Sequence, residues 1–257
     1  MATLSPTDGP PTLTQSLIQT SAIAFTQATQ APFLKAAGSG RISRETLSQW
    51  LSQDRLYGQA YINFIGSLLG HAHLPTHFDK KRTGLQWRIV EMLTAALENI
   101  LREQKFYEDV AQRYGLNLEQ PIQGQATFTA NEVTQSYINL FQSFLNPRRS
   151  LLEGMIVLWA TEKCYLEAWS YALSCGEGTG EGDKDGGALK KEFIPNWTSK
   201  EFVDFVEDIA VLLNELWMES GGDKHIVQKI WEEVLELEEK FWPQVRWLAG
   251  TRGTPTP

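Results

Sequence analysis

Three acidic residues sit where a helical spacing calls for apolar ones. Leu47, Trp50, Leu51, Asp54, Tyr57, Tyr61, Phe64 and Leu68 recur at intervals of three and four and define one helix face, with Asp54 in its middle and Tyr57 one turn on. Met155, Trp159, Glu162, Tyr165 or Leu166, and Trp169 make a second face, which carries Glu162. Trp231, Val234, Glu238, Phe241 and Val245 make a third, which carries Glu238, with Glu239 as its solvated neighbour. A fourth face, Val133, Tyr137, Phe141 and Phe144, brings in a phenol; Tyr137 alone fits a core position better than a catalytic one. Burying a carboxylate is costly unless it is paired or has a task. The plain alternative for Asp54 is a partner Arg or a helix end.

Acids converging inside a helical bundle suit two chemistries. One is a carboxylate metal site, which in ferritin-like bundles also wants a Glu-x-x-His pair on each of two helices. The four histidines are His71, His73, His77 and His225, and none follows a Glu by three, so no metal site is expected. His71 and His73 form an H-x-H at a loop, where solvated side chains are the simpler reading. The other chemistry is a pocket for an amine-rich aromatic ligand. Carboxylates would take its N–H donors and rings such as Tyr57, Tyr137, Tyr165, Trp169, Trp197 and Phe241 would enclose it. The absence of histidine ligands favours this second chemistry. No GxSxG elbow and no HExxH stretch is present.

The elements that would hold these residues are helices. Apolar residues recur at three and four nearly throughout, with few alternating runs, so the fold class is all-α. Helices are expected over about 12–37, from Ser43 to about Gly70, over 82–113 up to Gly115, from a Thr129–Glu132 capping box to before Pro147, over 149–174, from a Thr198–Glu201 capping box to near Gly221, and over 223–242. The chain of 257 residues is long enough to bury one sizeable core. Residues 1–11 and 249–257 read as tails flanking one domain over 12–248, and the Gly-rich acidic stretch 175–187 reads as a flexible surface loop. With 23 Lys and Arg against 31 Asp and Glu, the net charge of −8 argues against nucleic acid as the main partner. No apolar run has the length of a membrane span, and no basic, apolar leader opens the sequence. Cys164 and Cys175 make neither a disulfide framework nor a zinc pattern, so a reduced, cytoplasmic protein is expected.

Several segments together resemble the TenA/thiaminase II family. Trp50-Leu-Ser-Gln-Asp54-Arg-Leu-Tyr57 is similar to its aromatic-x-x-Gln-Asp-x-x-Tyr signature, and Leu237-Glu238-Glu-Lys-Phe241-Trp242 to its Glu-x-x-Phe-Trp close. Ser136-Tyr137, the stretch from Trp159 to Trp169, and Phe193-Ile-Pro-Asn-Trp197 fall in matching order, so the resemblance covers about residues 12–248. It implies a single-domain haem oxygenase-like bundle of about seven or more helices. It also implies cleavage of a C–N bond at the aminomethyl carbon of a 4-aminopyrimidine in thiamin salvage, without a cofactor, by a homo-oligomer (a dimer or tetramer). By the same resemblance, Asp54 reads the pyrimidine edge, Tyr57, Tyr165, Trp197 and Phe241 line the ring, Tyr137 stands near the reacting carbon, and Glu238 moves the proton. Trp197 falls where the family often has Tyr.

One departure bears on the substrate. The thiaminase II branch carries a nucleophilic Cys on the fifth helix, where this chain has Ala160 or Thr161 with Glu162 adjacent; Cys164 is about one turn away. The chain resembles the branch that lacks this Cys. The expected substrate is therefore a 4-amino-5-aminomethylpyrimidine or its N-formyl derivative, with Glu162 supporting the reaction or activating water. Two other readings fit the same faces. One is a catalytically silent TenA-like protein that binds a pyrimidine or a partner. The other is a haem oxygenase-fold protein acting with a metal or on a quinone precursor.

Overall fold

A computed structural model of the chain describes residues 10–78, 81–122, 124–176, 178 and 180–244. Regular structure among these is entirely helical: α1 (Leu13–Thr20), α2 (Ala22–Thr29), α3 (Pro32–Gly38), α4 (Arg44–His71), α5 (Leu85–Tyr114), α6 (Glu132–Gln142), α7 (Leu151–Ser174), α8 (Ile194–Trp197), α9 (Lys200–Ser220) and α10 (Lys224–Phe241). A 3₁₀ turn, Ser143–Leu145, follows α6, and a π-helical turn, Leu189–Phe193, runs into α8. Residues 1–9, the tail 249–257, and Val245 of the third apolar face lie outside the described residues.

The single helix expected over 12–37 is three helices instead. Ser21 leaves helical geometry (φ −120°, ψ 29°) between α1 and α2. Pro32 removes a donor and holds Ala31 extended (ψ 150°), which ends α2 and starts α3. Thr20, Thr26 and Thr29 turn their hydroxyls back onto carbonyls three or four residues earlier, a competition that weakens a continuous helix.

The caps also need correction. Ser43 accepts from the Thr46 N–H at 3.1 Å, as expected. The next expected box is displaced: Asn131, not Thr129, caps α6 through the Thr134 N–H at 2.7 Å. The Thr129 carbonyl instead accepts from the Gln53 side chain at 3.0 Å. Ser199, not Thr198, caps α9 through the Phe202 N–H at 3.2 Å. Thr12 and Gln15, which fit the Ser/Thr-x-x-Glu/Gln pattern, form a reciprocal capping box on α1.

Helix α7 is the axis of the bundle and packs against α2, α3, α4, α8, α9 and α10. Its run Met155–Ala160 is buried all round, as a central helix requires. Gly38 lets α3 approach it: a Cβ there would stand 1.9 Å from the Ala172 carbonyl oxygen. The expected surface loop 175–187 is anchored at its far end, because Asp185 is only 1% exposed. Its carboxylate accepts the Gly187 N–H at 2.9 Å and the Leu189 N–H at 2.7 Å, which holds the start of the turn leading to α8. Lys184 N–H bonds to the Gly40 carbonyl at 3.1 Å, where Gly40 takes a left-handed φ of 67°. Trp197 is therefore delivered by an anchored segment. No described helix is long and apolar enough to cross a membrane.

Candidate active site

Asp54, on α4, is 3% exposed. Its Oδ2 accepts the hydroxyl of Tyr107 from α5 and, at 3.1 Å, that of Tyr165 from α7. Among the described residues its partners are these two phenols and not the Arg or helix end of the plain alternative. Burial pushes the Asp54 carboxyl up to about 7, and the two phenols limit the rise. Glu103 lies one turn before Tyr107 on α5 and accepts the Trp197 indole N–H at 2.6 Å. Burial, then the charge of Asp54, pushes Glu103 up to about 8.

Glu238, on α10, is 2% exposed; its Oε1 accepts the Tyr137 hydroxyl at 2.5 Å and its Oε2 has no hydrogen-bond partner. Burial pushes it up to about 8, Tyr137 opposes the rise, and Asp54 and Glu162 add to it. The ring of Tyr57 stands edge-on to Tyr137 at 4.9 Å and tilted to Phe241 at 5.8 Å, so these rings close over the Glu238 side of the site. Glu162, on α7, is half-buried and accepts the Tyr61 hydroxyl from α4. Burial pushes it up to about 7, and the Tyr61 phenol opposes the rise. The phenols of Tyr57, Tyr61, Tyr107, Tyr137 and Tyr165 are all pushed up, first by burial and then by the neighbouring carboxyls, so they act here as neutral donors.

A cavity of about 770 Å³ opens between α5 and α9, lined on its inner side by Tyr61, Glu103, Phe106, Glu162, Tyr165 and Trp197. Of the residues expected from the sequence, it brings together Glu162, Tyr165 and Trp197. Asp54, Tyr57, Tyr137, Glu238 and Phe241 are not part of its lining. Asp54 joins the cavity through Tyr165, and Glu238 through its electrostatic interaction with Glu162. Trp197 takes its place by stacking: its ring lies 4.4 Å from Trp169 and 5.0 Å from Phe193.

Three site residues escaped the sequence reading as site members: Glu103, Tyr107 and Tyr61. Tyr61 had been placed on the apolar stripe of α4. Glu103 and Tyr107 are four residues apart on one long amphipathic helix rich in charge, where one inward Glu among many outward ones gives no signal. Ala160 is buried, and the Thr161 hydroxyl bonds back to Val157 and Leu158 carbonyls at 3.0 Å, so neither offers a nucleophile. Cys164 is buried, and burial followed by the Glu238 charge pushes its thiol well above the ordinary range, which disfavours a thiolate. His71 is not a solvated loop residue: it ends α4, and its Nε2 lies 2.8 Å from the Phe144 carbonyl oxygen. No group of three or more His, Cys, Asp and Glu among the described residues is arranged to hold a metal ion.

An all-helical bundle with a carboxyl-and-phenol site beside a cavity is thus the class of protein defined by the structure. The family model described as TENA/THI-4/PQQC matches residues 24–247, and the chain belongs to that family. Its all-helical fold is shared with a TenA homologue from Pyrococcus furiosus, at a TM-score of 0.72 and 24% identity over 90% of this chain and 98% of that one. A putative TenA-like thiaminase from Sulfolobus solfataricus superposes with a TM-score of 0.65 at 11% identity, covering 89% of this chain and 93% of that one. A Fusarium pseudograminearum protein named a probable transcription factor is 28% identical over 91% of this chain, which spans only 52% of that protein. A Glycine max protein named a probable bifunctional TENA-E protein is 20% identical, over 91% of this chain and 93% of its own length.

Proposed function

We propose that the protein is a C–N hydrolase of thiamin salvage acting on a 4-amino-5-aminomethylpyrimidine or its N-formyl derivative. The observation that carries this reading is the pair of interacting carboxyls, Glu162 and Glu238, beside a cavity walled by phenols. Their protons are held to about pH 7 and about pH 8. Near neutrality one member of such a coupled pair keeps its proton while the other gives it up, which is the state that acid–base catalysis needs.

Family membership and the sequence resemblance supply the ring chemistry. Asp54 accepts N–H donors from the amino edge of the pyrimidine, exchanging the Tyr165 hydroxyl for a substrate group. Tyr57, Tyr165, Trp197 and Phe241 enclose the ring, and Tyr137 orients Glu238. Glu238 holds the proton that keeps the leaving nitrogen protonated as the C–N bond breaks. Glu162 takes a proton from the water whose oxygen bonds to the freed carbon. The products are the hydroxymethylpyrimidine and ammonia. The N-formyl compound loses formate at the C–N bond of its formamide with the same acid and base. No thiol is used, which agrees with the protonated, buried Cys164. Cytoplasmic location and assembly of copies into a dimer or tetramer belong to the same reading.

The Fusarium relative's name suggests a second reading, binding without catalysis. A net charge of −8 disfavours nucleic acid as the ligand. Ammonia release from 4-amino-5-aminomethyl-2-methylpyrimidine separates the two, with wild type, Glu238→Gln and Glu162→Gln side by side. Thiamin and the N-formyl derivative run in parallel. The hydrolase reading expects release by wild type and a loss on the order of 10²–10⁴-fold in Glu238→Gln. No turnover of any of the three compounds sinks it. Unchanged turnover in Glu162→Gln removes Glu162 from the mechanism.

A further inference from the structure

Among the described residues, no ion pair is formed by the acids of this site. Every hydrogen bond described on Asp54, Glu103, Glu162 and Glu238 comes from a neutral donor, a phenol or the Trp197 indole N–H. The four also interact with one another. Among the described lining residues Arg102 is the one Lys or Arg, and its guanidinium is already paired with Glu201 at 2.7 Å. The outer lining also holds Glu98, Asp208 and Asp204, the last of which is paired with Lys200. A protein ordinarily supplies a counter-charge to buried carboxyls.

A second observation points the same way. Glu238 is almost fully buried, and its Oε2 is without a partner. An orphaned carboxyl oxygen beside Asp54 and Glu162 marks a position for a donor that a ligand brings. Glu103 lines the cavity, as Glu162 does, and of the four acids it is the one that accepts the indole N–H of Trp197, the aromatic wall of that cavity.

We propose that Glu103 is a specificity-determining residue: with Glu162 it receives a positively charged nitrogen on the arm of an aromatic ligand, so that the site takes ammonium-bearing ligands over neutral ones of the same shape. The choice of ring rests on the aminopyrimidine reading above; the choice of arm does not. An arriving ammonium favours the ionised form of the carboxyls and drives their protons out. A hydroxymethyl or formamide arm offers no such exchange. The acids at the mouth would also raise the local concentration of a cation, an effect that salt weakens.

The test is calorimetric titration with 4-amino-5-aminomethyl-2-methylpyrimidine and with its neutral 5-hydroxymethyl analogue. Wild type, Glu103→Gln and Glu103→Asp are compared at low and high salt, and ammonia release is followed in parallel. Wild type is expected to bind the amine at least about tenfold more tightly, the scale of a charged hydrogen bond. Glu103→Gln removes that preference by weakening the amine alone, and Glu103→Asp keeps part of it. Equal binding of both ligands by wild type overturns the proposal, as does binding of neither. Equal weakening of both ligands in Glu103→Gln also overturns it, because Glu103 would then only hold Trp197 and Tyr107 in place. If Glu103→Gln fails to fold, the wild-type preference and its reduction in Glu103→Asp decide. A preference without ammonia release defeats the hydrolase reading and leaves this one standing; release without a preference does the reverse.

Discussion

Asp185 and Glu238 are buried to the same degree, yet the fold treats them in opposite ways. Asp185 has both oxygens filled by backbone N–H groups at the start of a helical turn. Glu238 has one oxygen on a phenol and one on nothing, with two further acids in range. The first arrangement spends the acid's hydrogen-bonding capacity and fixes a segment. The second makes ionisation costly and leaves hydrogen-bonding capacity unspent. Burial of an acid is therefore no sign of function by itself. The identity of its partners separates a cap from a candidate catalytic group.

The comparison can be broken first at Glu238. Its proton is held to about pH 8 in the folded chain, against an ordinary value of 4.5. The stability this contributes is complete below the unfolded value and is lost as pH rises through the folded one. Wild type should therefore lose stability between pH 4.5 and 8, and Glu238→Gln should lose less. At pH 8.5 we expect the variant to be the more stable by on the order of a few kcal/mol. Urea unfolding at pH 5, 7 and 8.5 measures this; a variant less stable than wild type at pH 8.5 would contradict the cost of ionising Glu238.

Asp185 should behave in the opposite sense. Asp185→Ala strands two buried N–H groups and is expected to destabilise by about 1–3 kcal/mol. Turnover per folded molecule should hold, because Asp185 acts only on the segment that leads to Trp197. A specific loss of turnover with unchanged melting would make Asp185 part of the site. The smallest effect belongs to the exposed Arg102–Glu201 pair. Glu201→Ala should cost under about 1 kcal/mol and less still in high salt. A larger loss of stability would mean that the cavity mouth is itself structural.

Much of this division was legible in the chain. The stripe through Asp54 and Tyr57 on α4 and the face through Trp231 and Phe241 on α10 turn inward as their spacing demands, because a helix repeats every 3.6 residues whatever surrounds it. Glu103 was not legible, since an inward acid on a helix rich in outward acids leaves the pattern unchanged. The break at Ala31–Pro32 was hidden by the apolar repeat that runs across it. The caps at Asn131 and Ser199 each lie next to a residue that satisfies the same motif, so local sequence does not choose between neighbours.

The sequence by itself determined the all-helical class, the inward faces, and the presence of three acids on them. Those are properties of single helices, set by periodicity and side-chain type. Only the tertiary structure decided that Asp54 meets Tyr107 and Tyr165, that Glu238 meets Tyr137, and that Glu103 joins them at the cavity wall. Such partnerships link residues 53 to 111 positions apart. They exist because α4 packs against α5, α6 and α7 and α10 packs against α6, and no local spacing along the chain encodes which inward faces will meet.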